Sequence, residues 1–157
     1  MNNRRQIKLQ SSFELLITLS FGLAILLPLV VFAFIQLANA NSAVSAVAAQ
    51  QVASKLASAA ALVGTQGAPA KQIVQIAMPT GVQYIYIGTL TNGIGHSIVL
   101  AIRSPTGLSY ITAYTPINVS GNLGGISSTG TYLVNVSAQS QCPLQLALPC
   151  VYMKPAV

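Results

Sequence analysis

The sequence predicts an α+β protein in which one long N-terminal helix, first transmembrane and then amphipathic, packs against a small antiparallel β-sheet head. Three observations lead there. Residues 15–38 carry no charge, an alanine-rich stretch with periodic apolar positions follows, and beyond residue 72 β-branched runs alternate with Gly, Pro and Asn.

The uncharged stretch reads LLITLSFGLAILLPLVVFAFIQLA. As a helix it extends roughly 36 Å, more than the roughly 30 Å of a bilayer core. It is longer than the apolar region of a cleavable secretory signal, although Ala38-Asn39-Ala40 has the form of a signal-peptidase site and leaves open a secreted domain beginning at Asn41. Arg4, Arg5 and Lys8 precede the stretch and keep that end in the cytoplasm, so everything after residue 40 is expected outside. Pro28 withholds one amide donor inside the helix, which predicts a kink.

From residue 41 to 63, Val44, Val47, Ala48, Val52, Leu56, Ala59, Ala60 and Val63 recur at helical spacing, with Ser45, Gln50, Gln51, Ser54, Lys55 and Ser58 off that stripe. Gly64 is the expected stop. The organisation is therefore a basic leader at 1–9, a helix at 10–63, a linker at 64–72 and a head at 73–157.

Expected strands in the head are 73–78, 82–90, 97–103, 108–115 and 131–137, with a last piece near 150–153. Asn92-Gly93 is a hairpin signal and Ser104-Pro105-Thr106-Gly107 a second turn, giving an antiparallel meander over 82–115 that buries one face on the helix stripe. Tyr84, Tyr86, Tyr110, Tyr114 and Tyr132 fall in these strands and read as sheet packing rather than a carbohydrate site. Residues 116–130, rich in Gly, Ser and Asn, read as an exposed loop. Of the two glycosylation sequons, Asn118-Val119-Ser120 lies in that loop and Asn135-Val136-Ser137 in a strand, which favours Asn118. Cys142 and Cys150 bracket a short segment and are expected to pair as a disulfide in an exported domain.

Composition narrows the function. The chain of 157 residues is 53% hydrophobic and 5% charged, with net charge +6, and Glu14 is its single acidic residue. Paired-carboxylate hydrolysis and oxygen-ligand metal sites lack their acids. His96 stands in a Gly-rich turn without an acidic orienter, two cysteines with one histidine fall short of a zinc set, and no G-K-[ST] follows either Gly-rich segment. The head's basic residues are scattered, unlike a nucleic-acid surface. No enzyme, cofactor, metal or nucleic-acid partner is expected. Glu14 itself reads either as an interfacial residue favoured by the dipole at the start of the helix or as an assembly residue.

At the membrane entrance the residues run Lys8-Leu9-Gln10-Ser11-Ser12-Phe13-Glu14-Leu15. Gln10, Ser12 and Glu14 resemble the Q-x-S-x-E class III signal motif of archaeal type IV pilins, a resemblance that covers residues 8 to about 64. It implies a type IV pilin-like fold and a prepilin peptidase that recognises Lys8, Leu9, Gln10 and Ser12 and cuts between Leu9 and Gln10. Glu14 then becomes the fifth residue of the mature chain, and the new amine on Gln10 of one subunit meets Glu14 of its neighbour. The resemblance further implies a structural subunit, major or minor, of an adhesive surface filament, polymerising with itself or other pilins through an assembly ATPase and membrane platform. Such a subunit waits in the cytoplasmic membrane and ends in an extracellular filament. Leu9 stands where the family usually has glycine, which favours the alternative of a non-polymerising, membrane-anchored surface binding protein.

The missing acids also bear on pH. Acid unfolding mostly reflects protonation of native carboxylates, and the head has no Asp or Glu, which would suit an acid-exposed surface. The near-ultraviolet circular dichroism of the detergent-solubilised chain is expected to stay constant from pH 5 to pH 2; a cooperative loss in that window contradicts this.

Overall fold

A computed structural model describes residues 3–91, 93–104, 107–126, 128–143 and 148–156, with side chains from residue 13 onward. One helix, α1 (Asn3–Gln66), precedes six strands: β1 (Lys71–Met78), β2 (Val82–Gly88), β3 (Gly95–Ser104), β4 (Gly107–Gly121), β5 (Gly130–Gln139) and β6 (Cys150–Pro155). The chain divides into two compact units, Met1–Asn41 and Ser42–Val157.

In the first unit the helix is apolar around its circumference. An 18-residue window reaches a mean hydropathy of 2.7 with none of it buried, so α1 is long and apolar enough to cross a membrane. Two of its hydroxyls are satisfied locally: Thr18 Oγ1 donates to the carbonyls of Glu14 and Leu15, and Ser20 Oγ to that of Leu16. Such bonds remove polar groups from an apolar medium. The helix is uninterrupted at Pro28.

In the second unit the rest of α1 lies on a six-stranded sheet of order β1-β5-β6-β4-β3-β2. All neighbours are antiparallel except β4 and β6, which run parallel from Val119↔Val151 to Gly121↔Met153. The expected meander is present as β2, β3 and β4. Alternation explains the core: inward residues such as Val74, Ile76, Ile87, Ile98, Leu100, Val134, Val136 and Met153 meet Val52, Leu56, Ala60 and Val63 of the helix.

Several expectations need correction. The buried helix stripe runs through Ala49, Val52, Ala53, Leu56, Ala57, Ala59, Ala60 and Val63, whereas Val44 and Val47 are exposed. Ser45, expected off the stripe, reaches Thr80 Oγ1 in the turn after β1 at 3.3 Å. Small residues thus make up much of the buried face, with Val52, Leu56 and Val63 between them. The helix also ends later than expected. Gly67, at φ 72°, occupies the left-handed position after Gln66, and its amide donates to the Gly64 carbonyl. Gly64 serves packing instead, since a Cβ there would run into the Ile117 side chain.

Residues 116–130 are not one exposed loop. β4 continues to Gly121, and beyond it Leu123 and Ile126 are buried in the core. Thr115 Oγ1 donates to the Ile117 carbonyl where the strand passes Pro116. Asn92, Pro105 and Thr106, on which the two turn assignments partly rested, lie outside the described residues.

Leu56 has no exposed surface and joins helix to sheet. Leu56→Ala is expected to lower head stability by about 2–5 kcal/mol, read as a fall in the denaturant midpoint of the full chain in detergent.

Candidate functional site

The residues with a proposed role in processing and assembly all lie on the N-terminal part of α1. Lys8, Leu9, Gln10 and Ser12 are helical in backbone, and their side chains lie outside the described set. Glu14 is exposed on the same helix, bracketed by Phe13 and Leu15, which are each 66% exposed. Residues three and four positions away along a helix are its lateral neighbours. For Glu14 these are Gln10, Ser11, Ile17 and Thr18, none of them basic, and the nearest cation on each side in sequence is Lys8 before it and Lys55 after it. No cation therefore sits at lateral spacing to answer the carboxylate.

In the head the disulfide joins Cys142 to Cys150, with Cα atoms 5.4 Å apart. Both cysteines are buried, and the Cys142 amide donates to the Leu148 carbonyl, so the loop is closed by the backbone as well. Residues 144–147 within it lie outside the described residues.

The sequon at Asn118 is placed differently from the expectation, while that at Asn135 lies in a strand as expected. Asn118 is half-buried in β4, not in a loop, and the Ser120 hydroxyl is fully buried with no protein partner. Asn135 is half-buried in β5 with its Oδ1 buried and unpartnered, while Ser137 Oγ donates to the Tyr152 carbonyl at 3.3 Å. In the folded head, a modifying enzyme meets neither sequon as an exposed loop.

His96 is not in a free turn but begins β3 at the irregularity between Gly95 and Ser97. With Gly64, Ile117, Asn118, Gln139 and Cys150 it lines a mainly apolar cavity of about 410 Å³. Among the described residues no three His, Cys, Asp or Glu side chains gather.

The tyrosines split by face. Tyr132 packs partly buried against the core, as expected, but Tyr84, Tyr110 and Tyr114 are 57%, 58% and 79% exposed, on the strand parity opposite the core residues, and Tyr114 also lines a hollow with Gln50, Ser54 and Ser58 of α1 at the edge of β4. Sequence reasoning assigned all five to packing. The overlooked signal is their spacing: Tyr84 and Tyr86 in β2, and Tyr110 and Tyr114 in β4, fall on one strand parity, opposite that of Ile85, Ile87, Ile111 and Ala113.

No protein-family model, curated protein or solved structure matches the chain. The fold and the site together define an α+β protein with an exposed apolar N-terminal helix of membrane-crossing length and a disulfide-closed head.

The short loop between Cys142 and Cys150 sets the size of the disulfide's effect. Replacing both cysteines with serine is expected to lower head stability by about 2–3 kcal/mol, with wild-type protein under reductant shifting its melting curve to match.

Proposed function

We propose that the chain is a structural subunit, major or minor, of an archaeal type IV pilus-like surface filament, adhesive in role. It is made as a membrane precursor, cut between Leu9 and Gln10 by a prepilin peptidase, and drawn into the filament by an ATPase-driven membrane platform. The supporting observation is an exposed apolar stretch in the N-terminal part of α1 with one carboxylate near its entry, set in the register of the Gln10, Ser12 and Glu14 motif.

Such a helix has two stable environments, lipid and a bundle of sister helices. Gly22, Ala24, Ala33 and Ala38 interrupt its large side chains and allow close backbone approach in the bundle. Neutralisation favours the bundle, because an ionised carboxylate in a low dielectric costs several kcal/mol unless a partner compensates it. Cleavage before Gln10 creates an amine, and the amine of one subunit meets Glu14 of the next. Filament growth is then registered by charge and cemented by apolar packing. In this reading the head faces outward, its N-terminal neighbour having crossed from the cytoplasm.

A second reading, a membrane-anchored surface binding protein that never polymerises, is favoured by Leu9 in place of the family's glycine.

The N-terminus of the protein recovered from cells separates the readings: Gln10 for the filament subunit, Met1 or its trimmed form for the anchor, and Asn41 for a secreted domain. With processing established, Glu14→Ala is expected to reduce filaments counted by electron microscopy by about tenfold or more, in keeping with an unpaired buried charge on the partner. Normal filament yield from that variant removes the registering role of Glu14.

A further inference from the structure

The outer face of the sheet carries an arrangement that filament assembly leaves unexplained. In register, Tyr84 pairs with Ala101 and Ala101 with Tyr110; one row along, Tyr86 pairs with Val99 and Val99 with Thr112; in the next row Ser97 pairs with Tyr114. The middle strand thus contributes small or branched residues between flanking tyrosines. Ala101 and Val99 are only 1% and 7% exposed, yet neither belongs to the core cluster joining helix and sheet. Their register neighbours Tyr84, Tyr86 and Tyr110 flank them on the same parity from β2 and β4. The Tyr84 and Tyr86 rings are stacked side by side, 6.0 Å between centroids and 27° between planes. The result is an aromatic pavement spanning about 10 Å from β2 to β4, with phenol hydroxyls free to exchange hydrogen bonds.

Charge on this face has one sign. Arg103 follows Ala101 on the same parity, diagonal to Tyr84 and Tyr110. Lys71 pairs with Ser137 and Lys154 with Asn135, on the parity opposite the core residues of β1, β5 and β6, in the half of the sheet that meets β4 only at Val119–Gly121 and so within reach of an extended polymer rather than beside the tyrosines. All three cations are exposed, and no acidic side chain exists in the head to pair with them.

We infer that this face binds an anionic polysaccharide, whose sugar rings stack on the tyrosines while its carboxylates or sulfates meet Arg103 and the two lysines. The apolar C–H face of a pyranose matches a phenol ring, and its hydroxyls match the tyrosine hydroxyls at the rim. A second copy of this chain is a poorer occupant, because two such faces bring cations together with no acid from either head. A nucleic acid, with a phosphate on every unit, calls for a denser basic track than three dispersed cations. The inference concerns single heads and does not rest on polymerisation.

The test uses the full chain in nonionic detergent, with binding followed by tyrosine fluorescence, which no tryptophan obscures. Polygalacturonate is expected to bind in a salt-dependent manner, and dextran, polyglutamate and oligothymidylate at least about tenfold more weakly. Tyr110→Ser and Tyr114→Ser, both at exposed positions, are each expected to weaken polygalacturonate binding about tenfold with unchanged circular dichroism. Arg103→Gln is expected to weaken it and flatten the salt dependence, and Tyr132→Phe to leave it unchanged. Failure to bind polygalacturonate overturns the inference, as does equal binding of dextran, polyglutamate or oligothymidylate. So does full binding by the folded Tyr110→Ser variant. Because no step requires a filament, a negative result leaves the assembly reading intact, and unprocessed chains can still give a positive one.

Discussion

The second unit rests on the shared core between the alanine-rich face of α1 and one face of the sheet. Ala49, Ala53, Ala57 and Ala60 keep that face low, Gly64 admits Ile117, and Val52, Leu56 and Val63 fill the spaces between. Side chains on a strand alternate, so choosing which face meets the helix also fixes what the other face displays. In β2, burying Ile85 and Ile87 turns Tyr84 and Tyr86 outward; in β3, burying Ile98, Leu100 and Ile102 turns Arg103 outward. A one-residue slip of β2 would bury phenols in place of isoleucines and expose the isoleucines. The helix contact is thus responsible for what the other strand parity displays.

The same helix obeys the reverse rule in the first unit. There Leu, Ile, Val and Phe occur all round the axis and remain exposed, whereas from residue 42 onward Ala, Ser and Gln take over and a single face is buried. A helix apolar on every side needs an apolar surround; one with a single stripe needs only a sheet. The composition change therefore marks a change of environment within one continuous helix. Thr18 and Ser20 fit this account, since each hydroxyl is returned to a carbonyl of its own helix.

Much of this was legible locally. The apolar stretch, the parity of the strands, the meander and the cysteine pair depend on neighbours in sequence, where period and turn chemistry speak directly. The order β1-β5-β6-β4-β3-β2 did not follow, because pairing β1 with β5 and laying β6 parallel to β4 are choices between distant segments with similar patterns. The helix stripe differs at its start because valine outweighs alanine on a hydropathy reading, whereas the buried face is built largely from alanine and Val44 and Val47 lie off it. Residues 116–126 were misread for a related reason: Gly, Ser and Asn dilute the signal of Val119, Leu123 and Ile126, which only tertiary packing reveals as core. The tyrosine pavement was visible as spacing but not as a surface, since which parity faces out depends on where the helix docks.

Glu14 remains the residue that the rest of the chain does least to accommodate. A helix dipole would stabilise it only within the first turn, and α1 begins at Asn3 with no acidic residue in its first turn. In the uncut chain the dipole therefore does nothing for it, and no side chain at lateral spacing is a cation. Removal of residues 1–9 would change both facts at once, moving the helix terminus to within about a turn of Glu14 and placing a new amine there. If the site needed only polarity at a membrane surface, Gln10, Ser11 and Ser12 already supply it. A carboxylate adds one thing they cannot, attraction to a positive charge. In a chain with no other acid, placing that group where a cut would produce an amine gives assembly a reason to wait for cleavage.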